Sequence, residues 1–116
     1  MHDFRRLEVW RRARDLVVAV DGAIRGFPRS DRGLVAAQLR RAVLSIPANI
    51  AEGCGRNSRA ETIRFLRIAS GSAAEAESHL EIAAAMRYLN TPDHEALIRD
   101  LTAIERMLFR LIQNLP

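Results

Sequence analysis

Six arginines carry the densest chemistry in the chain. Arg40, Arg41, Arg56, Arg59, Arg64 and Arg67 fall within 28 residues. A guanidinium is planar, permanently charged and forks onto phosphate oxygens. Such a cluster can follow a nucleic-acid backbone. Phe65 is the sole aromatic residue among them. Stacking of single-stranded bases needs a series of aromatic platforms, so binding is expected to be phosphate-driven and weakly sequence-selective. Other chemistry is poorly supplied. A nucleophilic Cys54 would need a nearby base, and His2, His79 and His94 all lie in other segments. No Ser-His-Asp arrangement is suggested. Glu75, Glu77 and Glu81 are close in sequence, but a di-iron bundle needs Glu-x-x-His pairs. Here Ser78 and Leu80 stand three residues after Glu75 and Glu77. The expectation is therefore no enzyme, no metal and no cofactor, with the acids paired to arginines such as Arg40 or Arg41.

The run Gly53-Cys54-Gly55-Arg56 leads into a helix start at Ser58. Free N–H groups at such a start can hold an anion. The run lacks the Gly-Lys-Ser/Thr of a phosphate-binding loop and follows a helix rather than a strand, so it reads as a plain turn.

A second pattern concerns partners. Gln38, Arg41, Ser45, Asn49 and Glu52 are spaced by three and four residues. At about 100° per residue they share one narrow strip of a helix. The rest of that helix is rich in Leu, Val, Ile and Ala. Either the strip is a solvated face, or it is a polar seam between subunits or along a pore. A solvated face is expected to be wider and more charged, which favours a subunit contact. A run of small residues, Ala69-Ser70-Gly71-Ser72-Ala73-Ala74, lets helix backbones approach. Gly71 alone costs about 1 kcal/mol relative to alanine. Tight packing inside the fold would offset that and is favoured over an interface.

These residues need helices to position them, and helical spacing runs throughout. The first segment spans about Phe4–Arg25, with Leu7, Trp10, Val17, Val20 and Ile24 on its stripe and Arg14 interrupting it. Gly26-Phe27-Pro28 ends it. The second starts near Ser30 or Asp31, both good caps, and continues to about Cys54 with Leu39, Val43, Ile46 and Ile50 inward. Pro47 lies inside it, where proline removes a backbone bond and costs about 3 kcal/mol. Either the helix kinks or two helices meet there; the unbroken phase of the stripe favours a kink. Ser58 and Glu61 form a capping box for a third helix reaching about Leu89. Thr91 caps a fourth, with Pro92 in its first turn and a heptad seam of Leu97, Leu101, Ile104, Leu108 and Leu111. Long amphipathic helices joined by short turns predict one all-α domain over 1–116, an antiparallel up-down four-helix bundle with one proline-kinked helix.

Size and charge agree. At 116 residues one domain is expected. No stretch has the apolar length of a membrane span, and no apolar signal region follows the start. One cysteine rules out an internal disulfide framework. A cytoplasmic protein with no membrane partner is expected. Every basic residue is arginine, and the formal net charge is +4. Residues 1–67 hold 14 arginines against 7 acids, or +7, while residues 68–116 hold 4 against 7, or −3. The split suggests nucleic-acid binding or mutual pairing of the two halves, within or between subunits.

Three segments together resemble one family. They are Phe4-Arg5-Arg6-Leu7-Glu8-Val9-Trp10, the run Gln38 to Gly53 containing Ser45-Ile46-Pro47-Ala48-Asn49-Ile50-Ala51-Glu52-Gly53, and Phe65-Leu66-Arg67-Ile68-Ala69-Ser70-Gly71-Ser72 with Glu75 and Glu77. They look like the bacterial four-helix bundle proteins called 23S ribosomal RNA intervening sequence proteins. That group includes the accessory variability determinant of diversity-generating retroelements. The resemblance implies an antiparallel bundle assembling as a barrel-like homopentamer. In the retroelement branch it implies binding of RNA or DNA and of a reverse transcriptase. It brings no catalytic or metal-binding residues. Arg40, Arg41, Arg56 and Arg67 match basic positions of the family. Two functions are therefore expected in competition. One is a ring that binds nucleic acid through Arg40, Arg41, Arg56, Arg59, Arg64 and Arg67, with Gln38, Ser45, Pro47, Asn49 and Glu52 at its subunit contacts. The other is an adaptor that docks a polymerase-like protein without touching nucleic acid.

Overall fold

Four α-helices account for most of the chain: α1 Glu8–Ile24, α2 Val35–Cys54, α3 Arg59–Ala85 and α4 Thr91–Gln113. Short 3-10 turns at Phe4–Arg6 and Arg29–Asp31 precede α1 and α2. The structure is a computed structural model that describes residues 3–31 and 33–116; His2 lies outside them. No strand occurs among the described residues.

Cross-bonds fix the topology. Arg41, Ser45 and Gly53 of α2 bond Glu75, Ser72 and Thr62 of α3, so the two helices run antiparallel. Glu81 and Glu77 of α3 face His94 and Glu105 of α4, again antiparallel. The start of α1 lies beside the end of α4, and its end beside the start of α4. Each helix packs on two neighbours in the order α1, α2, α3, α4 and back to α1. The result is an up-down four-helix bundle, 45 × 24 × 20 Å.

The core is aliphatic. Leu39, Val43, Ile46 and Ile50 of α2 are buried, as the stripe predicts. So are Leu97, Leu101, Ile104 and Leu108 of α4, while Leu111 is half-buried. In α1 the inward stripe is Val9, Ala13, Leu16, Val20 and Ile24. Leu7, Trp10 and Val17 sit on its flank, half-buried. The expected stripe thus holds at Val20 and Ile24 and is off by one or two residues before them. Ala13 is small and adds little to a hydrophobic period, yet it marks the true centre of the face.

Punctuation matches the sequence in part. The Ser58 hydroxyl accepts from the Glu61 N–H at 3.1 Å and caps α3. At α4 the cap is Asn90, not Thr91: its side-chain oxygen accepts from the Asp93 N–H at 2.8 Å, and Thr91 is already helical. Asparagine ranks above threonine as a cap, so residue type favours Asn90 over the expected Thr91. Asp31 is buried in the turn before α2 and accepts from the Ala36 N–H at 3.1 Å. α2 itself starts later than expected, at Val35, and runs unbroken across Pro47. The two-helix alternative at the proline is therefore excluded. α3 stops at Ala85 rather than Leu89 because Arg87 turns left-handed, φ 63°. The Tyr88 N–H then returns to the Ala83 carbonyl at 2.9 Å, a helix stop normally made with glycine.

Candidate nucleic-acid and subunit-contact surfaces

The crossing of α2 and α3 is built from small residues. Ala69, Ser72, Ala73 and Ala76 are buried there. Where the hairpin closes, a β-carbon on Gly53 would stand 3.3 Å from both the Phe65 β-carbon and the Thr62 carbonyl oxygen. The Thr62 hydroxyl donates to the Gly53 carbonyl at 3.0 Å. A side chain there would push α3 back by a few tenths of an ångström.

The polar strip of α2 borders that crossing. Asn49 Nδ2 donates to the Ser45 carbonyl at 2.8 Å and to Ser45 Oγ at 3.0 Å. With one lone pair so occupied, Ser45 Oγ is free to donate to Ser72 Oγ, 2.7 Å away. Arg41 bonds the Glu75 carboxylate and the Gln38 side-chain oxygen. Glu52 takes Arg56 at 2.6 Å. Pro47 is half-buried beside them. Within one chain, then, Gln38, Arg41, Ser45, Asn49 and Glu52 all have side-chain bonds. The exposed members are Gln38, Arg41 and Glu52.

The six arginines divide into groups. Arg40 pairs with Asp21 of α1 at 2.7 Å and Arg41 with Glu75 of α3, both in the second turn of α2. Arg56, Arg59 and Arg64 gather about 20 Å away along the helix axis, at the α2–α3 turn. Phe65 organises that end. The Arg56 and Arg64 guanidiniums lie 4.7 and 4.4 Å from its ring centroid. Arg64 also bonds Glu61 at 3.0 Å. That bond holds the Glu61 carboxyl below the usual carboxylate range and raises Arg64. Arg59 Nε reaches the Leu115 carbonyl at 3.5 Å. Arg67 is exposed and forms no ion pair among the described residues. Sequence reasoning treated the six as one cluster. It expected acids such as Glu75 to pair with Arg40 or Arg41, and Arg41 does bond Glu75; it missed the partners of Arg40, Arg56 and Arg64 and the role of Phe65 as a guanidinium platform.

Two further surfaces were not read from the sequence. A trough of about 610 Å³ lies between α1 and α2, with Ile24, Ala36, Ala37 and Leu44 as its floor and Arg25, Arg40 and Arg41 at its rim. On α3, Ile68, Ile82 and Met86 are exposed, at 40%, 44% and 46%. Their spacing of fourteen and four residues puts them on one side of the helix with Gly71 and Glu75.

The remaining titratable groups are held by local partners. His79 lies 3.1 Å from Glu75, and His94 contacts Glu81. Cys54 is buried, and burial pushes its thiol pKa up. Glu105 is pushed up by burial and then by the neighbouring Glu77 carboxylate. No group of three or more metal-ligating side chains occurs among the described residues. No helix among them is long and apolar enough to cross a membrane.

The family model for the 23S rRNA-intervening sequence protein matches residues 5–110. The chain belongs to that intervening-sequence protein family. A crystal structure of similar fold is a protein of unknown function from the S23 ribosomal protein family of Bacteroides thetaiotaomicron, 26% identical with a TM-score of 0.83. The alignment covers 91% of this chain and 99% of that one. No curated protein matches the chain. The intervening-sequence family match spans all three resembling segments, from Arg5 through the proline-containing run of α2 to the small-residue run of α3.

Proposed function

We propose that the protein is a non-catalytic homo-oligomer, a pentamer by family resemblance, that binds nucleic acid through repeated arginine-bearing ends of the bundle. The observation carrying this reading is the stacking of Arg56 and Arg64 on Phe65, with Arg59 beside them at one end of every subunit. Exposed ion pairs such as Arg56–Glu52 and Arg64–Glu61 are screened by solvent and hold weakly, so phosphates can displace the carboxylates. Arg67, one turn beyond, adds a further charge. One such end is a weak site. Several in one ring act together, raising avidity without new contacts. The proposed setting is the cytoplasm. We assign to Pro47 a bend in α2 that shapes the subunit contact of Gln38, Ser45, Asn49 and Glu52.

Fluorescence anisotropy of labelled RNA and DNA across a salt series tests the binding mode. A phosphate-driven contact weakens linearly on a log–log plot as salt rises. Affinity that does not change with salt contradicts it. A second reading, docking of a polymerase-like protein such as a reverse transcriptase, is favoured by the carboxylates that already neutralise Arg40, Arg41, Arg56 and Arg64. Co-purification with that polymerase after nuclease treatment, without RNA or DNA affinity, would select it.

A further inference from the structure

The trough between α1 and α2 and the exposed stripe of α3 are opposite in character and both uncovered. The trough has an apolar floor with Arg25, Arg40 and Arg41 at its rim. The stripe carries Ile68, Ile82 and Met86 with Glu75 among them, on the acidic half of the chain. The small residue on the stripe is Gly71, in mid-helix. A β-carbon there would meet nothing within 4 Å, so the subunit alone gives no return for the roughly 1 kcal/mol that glycine costs a helix. A second backbone passing close to Gly71 would provide one. Leu44, 49% exposed, sits on the trough floor and is a matching apolar projection.

We propose that the α1–α2 trough of one copy receives the Ile82-bearing stripe of α3 from a second copy. The inference rests on the homo-oligomer reading and extends its subunit contact beyond the polar strip of α2 to the trough and the stripe. The three rim arginines Arg25, Arg40 and Arg41 outnumber their carboxylate partners Asp21 and Glu75, so the trough stays net basic. The two surfaces are different patches of one subunit, so the contact is heterologous and repeats from copy to copy. Arg41 stands at the rim and Glu75 on the stripe, and their bond within one chain can be exchanged for the same bond between copies.

The test compares particle masses by light scattering of the full chain, wild type against Leu44→Glu and Ile82→Glu. Both side chains are half-exposed, so each variant should keep the far-ultraviolet helix signal of wild type. Should either lose it, Leu44→Ser or Ile82→Ser replaces it. The expected result is a wild-type oligomer, with each variant falling to a single chain. Mixing the two variants should restore a particle about twice the 13.0 kDa of one chain, because each retains one intact surface. Val18→Glu, at an exposed site on α1, should leave assembly unchanged. A wild-type oligomer that survives either substitution overturns the trough–stripe pairing and leaves the oligomer reading standing. So do two monomeric variants whose mixture stays at single-chain mass. A wild type at single-chain mass overturns both readings together.

Discussion

The α2–α3 hairpin and helix α4 hold the same bundle together by different means. Between α2 and α3 the contact is close and small-sided, with Gly53, Ala69, Ser72, Ala73 and Ala76 at the crossing and a hydroxyl–amide chain through Ser45, Asn49 and Ser72. α4 contributes a leucine seam of Leu97, Leu101, Ile104 and Leu108, and its polar links to α3 run at the rim. Large side chains supply burial energy, whereas small ones supply proximity and register. The hairpin bears the candidate binding residues because proximity fixes where Arg41, Arg56 and Arg64 stand. The seam supplies stability without placing any of them.

Substitutions should separate the two. Leu101→Ala removes a fully buried side chain from the seam and should cost about 2–5 kcal/mol, read as a large fall in the thermal midpoint, with RNA affinity unchanged below that midpoint. Ala73→Leu overfills the hairpin and should cost about 1–3 kcal/mol. Unlike Leu101→Ala, it should also weaken RNA binding by displacing α2 against α3. If the two variants behave alike, the division of labour fails. Arg87→Gly relieves the left-handed residue at the end of α3 and should stabilise by up to about 1 kcal/mol; denaturant midpoints read it. The smallest effect is expected at Glu105, on the seam's edge against Glu77. Its pKa in the folded chain stands above the unfolded value, by burial first and Glu77 second. Its carboxyl therefore favours folding below the unfolded pKa, and that contribution is lost as pH rises through the folded pKa. Glu105→Gln should raise the melting temperature at neutral pH and flatten its decline from mildly acidic pH. An unchanged profile would show that the pair is already relaxed by solvent.

Much of this was legible in the sequence. Leucine and isoleucine at three–four spacing gave α2 and α4 their inward faces, and Ser58 with Glu61 marked the start of α3. The first half of the α1 stripe was misplaced because Ala13, central in the structure, weighs little beside Trp10 and Leu7 in any hydrophobic count, while Val20 and Ile24 fell where expected. The end of α3 was hidden because an arginine, not a glycine, takes the left-handed position. The candidate site was legible only as a set of residue types. The pairing of Glu75 with Arg41 was among the expected ones, whereas the pair from Arg40 to Asp21 joins separate helices and no local pattern announces it. Exposed Ile68, Ile82 and Met86 fall on helical spacing too, and only the packed bundle shows that their side is left uncovered.

The central claim is that single bundles are incomplete and are covered by copies of themselves. Light scattering of the wild-type protein at micromolar concentration tests it most directly. The account predicts one species near five times the 13.0 kDa chain mass; a lone 13.0 kDa particle would contradict it.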